Sequence, residues 1–279
     1  MRRVTGPRGS LADTVGSQDS MIVKLEGAVA LIALNRPERH NALTASMGRR
    51  FLEVVLRAVA DPVVRSILIA GEGNSFCAGD DLQEVKAWVD GERGRAPFDP
   101  VTHDAYYLRV CEALVKAPKP VVVAMSGVTA GAGLDIACAA DYRVMGESAR
   151  CGSRLSLVGH VGHAVLLPRI VGMARATNWY MTGRFVLADE ALAVGLADEV
   201  VPDAEVRARA TTVAEQFAAG ATQAMGLFKE LRERAWGQPI EAGLRLQDAY
   251  HLTTHDRVRD AERGIRAAAS REPGVFLGD

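Results

Sequence analysis

What this chain lacks excludes several classes of protein. Its apolar runs all fall well short of the roughly 18 consecutive residues that a membrane-spanning helix needs. Lys and Arg number 33 and Asp and Glu 34, so the formal net charge is −1. A charge so close to zero gives no overall attraction to nucleic acid or to anionic lipid. The sequence therefore predicts neither a membrane protein nor a nucleic-acid-binding protein.

Cysteine is also scarce, and its placement excludes a disulfide scaffold. The four residues have neither zinc-ligand spacing nor the context of a small secreted domain; they are Cys77, Cys111, Cys138 and Cys151. We expect reduced thiols and a cytoplasmic location. The N-terminal segment is basic at first, then rich in Gly, Ser and Asp, and it lacks the apolar centre of a signal peptide. We interpret residues 1–20 as a disordered tail with no part in the fold.

The remaining sequence has the composition and length of one large globular domain. Of its 279 residues, 48% are hydrophobic and 24% are charged. Strand patterns alternate with helical patterns through the first two hundred residues, and helical patterns alone follow. This order predicts an α/β fold, with a core at 21–203 and a helical region at 204–279. The polar segment 90–100 is predicted to be a mobile loop.

The segment around which the chain is organised is 120–141, PVVVAMSGVTAGAGLDIACAAD. Its apolar, β-branched beginning predicts a buried strand, and a turn cluster at 126–133 leads into a helix. That order directs a helix N-terminus, with unpaired N–H groups and the positive dipole end, at the loop. Gly131 and Gly133 have no side chain, so a ligand oxygen could approach the backbone. The alternative is a tight turn whose small residues serve packing alone.

A second strand, turn and helix of the same kind lies about fifty residues earlier. The strand pattern at 64–70 is followed by the turn GEGN and by SFCAGDDL, which leads into a helix. We call residues 71–82 the first corner and residues 126–133 the second corner. Two such corners could each give one backbone N–H to a single oxygen, which is the minimum for an oxyanion hole.

Four motifs in order carry a resemblance to a known family. They are LNRPERHNAL (34–43), FCAGDDL (76–82), SGVTAGAGLDIACAADYRV (126–144) and TGRFVLADEALAVGLADEVV (182–201). From about residue 22 to the C-terminus the chain resembles the enoyl-CoA hydratase/isomerase, or crotonase, superfamily. The resemblance implies a spiral of ββα turns with a C-terminal helical trimerisation region, and hence a homotrimer or a hexamer of two trimers. It also implies an acyl-CoA substrate in fatty-acid or related metabolism, with no cofactor besides the coenzyme A of that substrate.

The resemblance further implies a thioester site. The two N–H donors fall at Asp80 and Ala132, where they would stabilise an enolate as it forms. Ala132 stands where the family usually has glycine, and its methyl group requires a negative φ. Residues 78–83 would line the path of the pantetheine arm. The substrate-binding positions are Ala78, Asp80, Asp81, Leu82, Gly131, Ala132 and Leu155.

The acids of the family's hydratases map onto two different residue types here. The first glutamate falls at Asp135 and the second at Leu155, which cannot carry a proton. Addition of water by two carboxylates is therefore not expected, whereas isomerisation needs a single base. His163 falls where some isomerases and a dehalogenase of the family carry an aspartate, and a histidine there could act as acid or base.

Each of these residues also has a structural interpretation. Asp135 could simply favour the helix N-terminus, and His163 could be a loop histidine bonded to a carbonyl. With His160 it forms an HxxH pair, but no third ligand has a clear position, so no metal site is predicted. We interpret His160 as structural.

Two further functions stay open. Leu155 favours a non-catalytic acyl-CoA binder. Decarboxylation or carbon–halogen hydrolysis is the other, although hydrolysis needs a nucleophilic carboxylate where His163 stands. Capping or ion-pair roles are predicted for Asp81, Asp141 and Arg143, and Thr44 is predicted to be the N-cap of a helix.

Overall fold

The computed structural model describes residues 11–14, 16–18, 20–92 and 106–279 of the chain. Its strands and helices alternate up to residue 201, and helices dominate from there on. The predicted α/β class with a helical C-terminal region is therefore confirmed. Residues 1–10 and most of the predicted loop at 90–100 lie outside the described part.

The elements follow in chain order. The strands are β1 (Gly16–Gln18), β2 (Met21–Glu26), β3 (Val29–Leu34), β4 (Ser66–Gly71), β5 (Val121–Met125), β6 (Val128–Ala130), β7 (Tyr142–Gly146), β8 (Arg150–Gly152), β9 (Val186–Leu187) and β10 (Glu199–Val201). The helices are α1 (Ala45–Ala60), α2 (Leu82–Val89), α3 (Tyr106–Val115), α4 (Ala132–Cys138), α5 (Leu167–Val171), α6 (Met173–Thr182), α7 (Ala188–Ala193), α8 (Val206–Ala219), α9 (Thr222–Ala235), α10 (Ile240–Arg257) and α11 (Arg259–Ser270).

The main sheet has seven strands in the order β1-β2-β3-β4-β5-β7-β10. The first three are antiparallel neighbours, and each later pair is parallel. Residues of the central strands alternate between two hydrophobic clusters, because successive side chains of a strand point to opposite faces. Ile67 and Ile69 belong to the larger cluster, and Leu68 and Ala70 to the smaller one. The sheet is thus covered on both faces, as parallel sheets generally are.

A second sheet is small and lies at the corners. It contains β6, β8 and β9, with β6 parallel to β8. An isolated bridge joins Cys77 to Thr129. The turn cluster predicted at 126–133 therefore contains a short strand, and that strand joins the second corner to the first.

The helices begin where polar side chains cap them. Thr44, predicted as an N-cap, accepts a hydrogen bond from the Met47 N–H at 3.2 Å before α1. Asp81 does the same for α2 by accepting from the Gln83 N–H at 3.0 Å. Both caps fix the direction of the chain as it leaves a strand or a corner.

The prediction that residues 1–20 take no part in the fold is wrong for residues 11–14 and 16–18. Leu11 is fully buried, and its N–H donates to Oδ2 of Asp61 at 2.8 Å. Strand β1 extends the main sheet, where Gly16 pairs with Val23. The segment is polar in composition, and one buried leucine with one edge strand is enough to attach it. The composition of the segment indicated neither the buried leucine nor the edge strand.

The helical region divides into two parts with different surroundings. Helix α8 covers the second face of the main sheet with apolar residues that include Val206, Ala210 and Val213. Helices α9 to α11 extend beyond the sheet, and Phe228 and Leu244 are 63% and 59% exposed there. In the described ranges, no helix combines the length and apolar character needed to cross a bilayer.

Candidate active site

The first corner is held in shape by a buried asparagine of the LNRPERHNAL motif. Asn41 is fully buried and has a left-handed φ of 56°. Its side-chain N–H groups donate to the carbonyls of Glu72 and Ser75 at 3.0 and 2.7 Å, and its Oδ1 accepts from the Arg36 N–H at 2.8 Å. Two of these bonds join the loop after β3 to the turn after β4, and the third closes the loop on itself. The motif therefore builds the first corner.

The second corner packs so tightly on the first that side chains have no room. A Cβ at Gly127 would lie 1.8 Å from the carbonyl oxygen of Asn74, and one at Gly133 would lie 2.3 Å from that of Cys77. The Ala130 N–H donates to the Cys77 carbonyl at 2.9 Å. Glycine at these positions is required by the contact between the corners and not only by the turn itself.

The backbones of the two corners also meet at the residues that precede the two predicted N–H donors. Gly79 and Gly131 have positive φ values of 98° and 51°. A Cβ at Gly79 would lie 3.1 Å from the backbone nitrogen of Ala132 and 3.2 Å from Cα of Gly131. The two backbones therefore lie face to face. This contact brings the first and second corners together, as two N–H groups that bind one oxygen would require.

Neither predicted N–H is used by the backbone. In the part of the chain that the structure describes, no backbone carbonyl accepts from Asp80 or from Ala132, whereas Leu43 donates to Gly79 and Asp81 donates to Leu43 on either side of Asp80. Ala132 is the first residue of α4 and is not among the residues with positive φ, so its methyl group fits. A buried N–H that the fold leaves unpaired is available to an external acceptor.

Asp135 lies one turn into α4, where it meets His163. The two side chains are 6% and 1% exposed, and Nδ1 of His163 is 3.1 Å from Oδ1 of Asp135. The ring is not aligned for a hydrogen bond at that distance, and neither ring nitrogen has a partner among the described residues. His163 itself has a left-handed φ of 58°. The carbonyl-bonded loop histidine considered from the sequence is therefore wrong.

Leu155 lines the same place. A Cβ at Gly162 would lie 2.4 Å from Cδ1 of Leu155 and 3.9 Å from Oδ2 of Asp135. Gly162 is thus the spacer that lets the loop after the 3₁₀ turn at 155–158 approach Asp135. The position at which the family's hydratases have a second acid carries an apolar group here.

The side chain of Asp80 faces the same region. Burial raises the pKa of its carboxyl, and the charges of Asp135 and Glu84 raise it further, while His160 acts in the opposite direction. Asp80 nevertheless is exposed to solvent. Both facts hold if the carboxyl lies in a recess that opens to solvent.

Tyr107 was not predicted from the sequence as a site residue. Burial raises the pKa of its phenol, and the carboxylates of Asp135 and Asp80 are the next contributions. It lies on α3, one turn before the buried Cys111, so it forms another wall of the recess. The helical pattern around it gave no indication of which neighbour it would face.

Other candidates have structural roles, as predicted. Asp81 caps α2 and pairs with Arg36 at 2.8 Å, so its carboxylate is occupied although it was also predicted to bind substrate. Asp141 accepts from the Val121 N–H and from Lys229. Arg143 is buried, donates to two carbonyls and pairs with Asp198 at 2.8 Å.

The remaining substrate-binding candidates, the cysteines and His160 lie in different surroundings. Ala78 and Gly131 lie in the corners, and Leu82 is 62% exposed at the start of α2. All four cysteines are buried and unbridged. Among the described residues, no three His, Cys, Asp or Glu side chains are grouped so that they could hold a metal ion. His160 is exposed, and its carbonyl accepts from the Tyr180 hydroxyl at 2.8 Å.

Comparison with known proteins agrees with this geometry. The family model for enoyl-CoA hydratase/isomerase matches residues 24–276. A 1,2-epoxyphenylacetyl-CoA isomerase from Escherichia coli K12 is 32% identical over 257 residues, which are 91% of this chain and 97% of that protein. A 4-chlorobenzoyl coenzyme A dehalogenase-2 from an Arthrobacter species is 31% identical over 229 residues, 81% of this chain and 82% of that protein.

A solved structure extends the agreement to the fold. The crystal structure of an enoyl-CoA hydratase from Polaromonas sp. JS666 has a TM-score of 0.83 at 25% identity and covers 92% of this chain and 99% of that one. The chain therefore belongs to the enoyl-CoA hydratase/isomerase family of the crotonase superfamily, and it is an enzyme of that family.

Proposed function

We propose that this enzyme isomerises an acyl-CoA thioester through an enolate. The thioester carbonyl would accept hydrogen bonds from the N–H groups of Asp80 and Ala132. Asp135 would remove a proton from the carbon next to the carbonyl, and the negative charge would develop on the oxygen held by the two N–H groups. Return of a proton to a different carbon completes the isomerisation.

The observation that carries this proposal is the buried pair of Asp135 and His163. A carboxylate and an imidazole are 3.1 Å apart, almost fully buried, and His163 forms no hydrogen bond with the described residues. Buried polar groups without partners are rare in native proteins, and they are found where a ligand completes them. Nδ1 of His163 is the ring nitrogen next to Asp135, and with no partner among the described residues both ring nitrogens are free to bond to a ligand.

Isomerisation is preferred to hydration because of Leu155. Hydration in this family uses two acids to position and activate a water, and Leu155 offers neither a proton nor an acceptor at the second position. One relative is named as an isomerase and another as a dehalogenase. Fatty-acid or related acyl-CoA metabolism is the setting we propose.

The test compares two reactions in one absorbance assay. Conversion of 3-hexenoyl-CoA to its conjugated isomer raises the thioester absorbance, whereas hydration of crotonyl-CoA lowers it. We expect the first reaction to dominate, and Asp135→Asn to lower it by about 10²- to 10⁴-fold because the base is removed. Asp256→Asn, an exposed position on α10, is the matched control. Full activity of Asp135→Asn would contradict the proposal.

The alternative is an acyl-CoA binder without turnover. Leu155 favours it, since one of the two family acids is missing. Calorimetry with a panel of acyl-CoAs separates the two functions: tight binding without conversion of any thioester would establish the binder.

We also propose that the chain assembles as a trimer, alone or paired into a hexamer, through α9 to α11. A groove of about 700 Å³ lies between α9 and α10, lined by apolar residues that include Leu227, Phe228, Leu231 and Leu244. Exposed apolar surface of this kind is typical of protein interfaces. Light scattering of the purified protein would test it against the chain mass of 29.8 kDa.

A further inference from the structure

The recess contains more groups able to exchange protons than the proposed reaction has used. Asp135 and His163 form the buried pair. Beyond the effect of burial, the charge of Asp135 raises the pKa of both Asp80 and Tyr107, and His160 lowers the pKa of Asp80, so these groups lie near one another on different elements. Leu155 also lines the recess, in the position of the family's second acid, but it cannot exchange a proton. The question is which residue returns a proton to the second carbon after Asp135 has removed one from the first.

The side chain of Asp80 satisfies the geometric requirements best. Its own N–H is one of the two predicted oxyanion donors, so the N–H that would bind the thioester oxygen and the carboxyl belong to the same residue. The backbone around it is fixed, because Leu43 donates to Gly79 and Asp81 donates to Leu43, at 2.8 and 2.9 Å. Unlike Asp81, which caps α2 and pairs with Arg36, Asp80 has no hydrogen bond or ion pair through its carboxyl among the described residues.

We propose that the Asp80 carboxyl is the second proton-transfer group of this site and protonates the far end of the enolate. The inference rests on the proposed isomerisation. Asp135 takes a proton from C2 of a 3-enoyl thioester, which leaves a dienolate held by the two N–H groups. The carboxylic acid of Asp80 then gives its proton to C4, and the double bond moves into conjugation. A proton passes from Asp135 to Asp80 to restore both groups, so no proton is gained or lost.

The electrostatic surroundings of Asp80 favour the acid form that this step needs. Burial is the main cause of its raised pKa, and Asp135 on α4 and Glu84 on α2 act in the same direction. His160, on the loop before α5, acts in the opposite direction. Among the described residues, Tyr107 on α3 is a further titratable neighbour, and its own raised pKa keeps it neutral and able to donate. A carboxyl that keeps its proton to higher pH is a better proton donor near neutrality.

The decisive variant is Asp80→Asn, which keeps the N–H and the shape of the side chain. The substrate is 3-hexenoyl-CoA in D₂O, with product formation followed by absorbance and deuterium at C2 of recovered substrate followed by mass spectrometry. We expect product formation to fall about 10²-fold or more, since general acid catalysis is lost. Exchange at C2 should continue, since Asp135 and the oxyanion hole are intact.

The pH profile gives a second readout. Activity of the wild-type enzyme should decline at high pH as Asp80 loses its proton, and this decline should vanish in Asp80→Asn. Glu84→Gln is the matched control: it removes a neighbouring charge and keeps an acceptor for the Ala45 N–H, which Oε2 of Glu84 holds at 2.7 Å. We expect it to change product formation by no more than about threefold, the size of a screened charge effect.

Each other outcome overturns the inference. Unchanged product formation in Asp80→Asn would show that the carboxyl is not needed. Equal losses of product formation and of C2 exchange would place Asp80 in the oxyanion hole or the fold alone. Failure of the wild-type enzyme to exchange C2 or to form product, despite binding the thioester, would instead refute the proposed function, and the inference with it.

Discussion

Two of the buried acid–base pairs in the described part of the chain are completed in opposite ways. Lys229 on α9 pairs with Asp141 at 2.5 Å, with side chains 5% and 16% exposed; His163 and Asp135 are 3.1 Å apart and more deeply buried. The Lys229 ammonium also donates to the carbonyls of Leu114 and Lys119, at 3.1 and 3.0 Å. Each of its three protons therefore has an acceptor, whereas His163 forms no hydrogen bond in the described residues.

The difference distinguishes a structural pair from the pair that we propose to be functional. A buried charge costs several kcal/mol unless its partners are present, and Lys229 finds all of its partners within the protein. The site pair keeps its bonding capacity for something outside the chain. Local arrangements that stability alone would not favour are expected at functional sites.

The largest effect on stability should come from the completed pair. Lys229→Met removes the cation and leaves Asp141 and two carbonyls buried without it, so we expect a loss of about 3–5 kcal/mol in the free energy of unfolding. Lys116→Met is the matched control, because the Lys116 side chain is 70% exposed and its pairing with Glu112 contributes little. Denaturant unfolding of both variants measures the difference. Equal losses would mean that burial does not distinguish the two lysines.

A smaller loss should follow when the corners are forced apart. Gly133→Ala places a methyl group 2.3 Å from the carbonyl oxygen of Cys77, and we expect about 1–3 kcal/mol of destabilisation together with a loss of activity. Gly243→Ala in helix α10 provides the contrast, because the nearest atom beyond the neighbouring turns of that helix, Cβ of Ala235 at the end of α9, lies 4.0 Å from the added methyl group. That substitution should stabilise the protein by about 0.5–1 kcal/mol. If Gly133→Ala retained full turnover, contact between the corners would not matter for the reaction.

The smallest effect on stability is expected at the site pair. His163→Asn removes an imidazole that has no hydrogen bond, and asparagine tolerates the left-handed backbone at φ 58°. We expect the free energy of unfolding to change by less than about 1 kcal/mol, because the lost packing is offset by the removal of an unpaired buried group. Activity should decline nevertheless. Thermal melts and the isomerisation assay, run on one preparation, check both. A loss of stability as large as that of Lys229→Met would remove the distinction between the two pairs.

The sequence was sufficient to predict the elements that surround the site. Apolar periodicity located β5, the capping residues Thr44 and Asp81 located two helix starts, and the glycine clusters located both corners. These features are local, because each depends on residues within a few positions of one another. The family motifs then assigned the corners to one oxygen.

What could not be predicted depends on contacts between distant segments. Tyr107 reaches the recess only because α3 packs beside α4, and Asn41 joins its loop to residues more than thirty positions later. The role of residues 11–18 depends on one leucine finding Asp61. No pattern within a single segment encodes such pairings.

The face-to-face contact of Gly79 with Gly131 has one further consequence. Because that junction is made of main chain alone, exchanging side chains at 80, 135, 155 or 163 leaves the proposed oxyanion hole in place. Under that proposal, substitutions can change the reaction that is catalysed without changing how the thioester is bound. Related chains that are named for different activities, one an isomerase and another a dehalogenase, are what such a separation would produce.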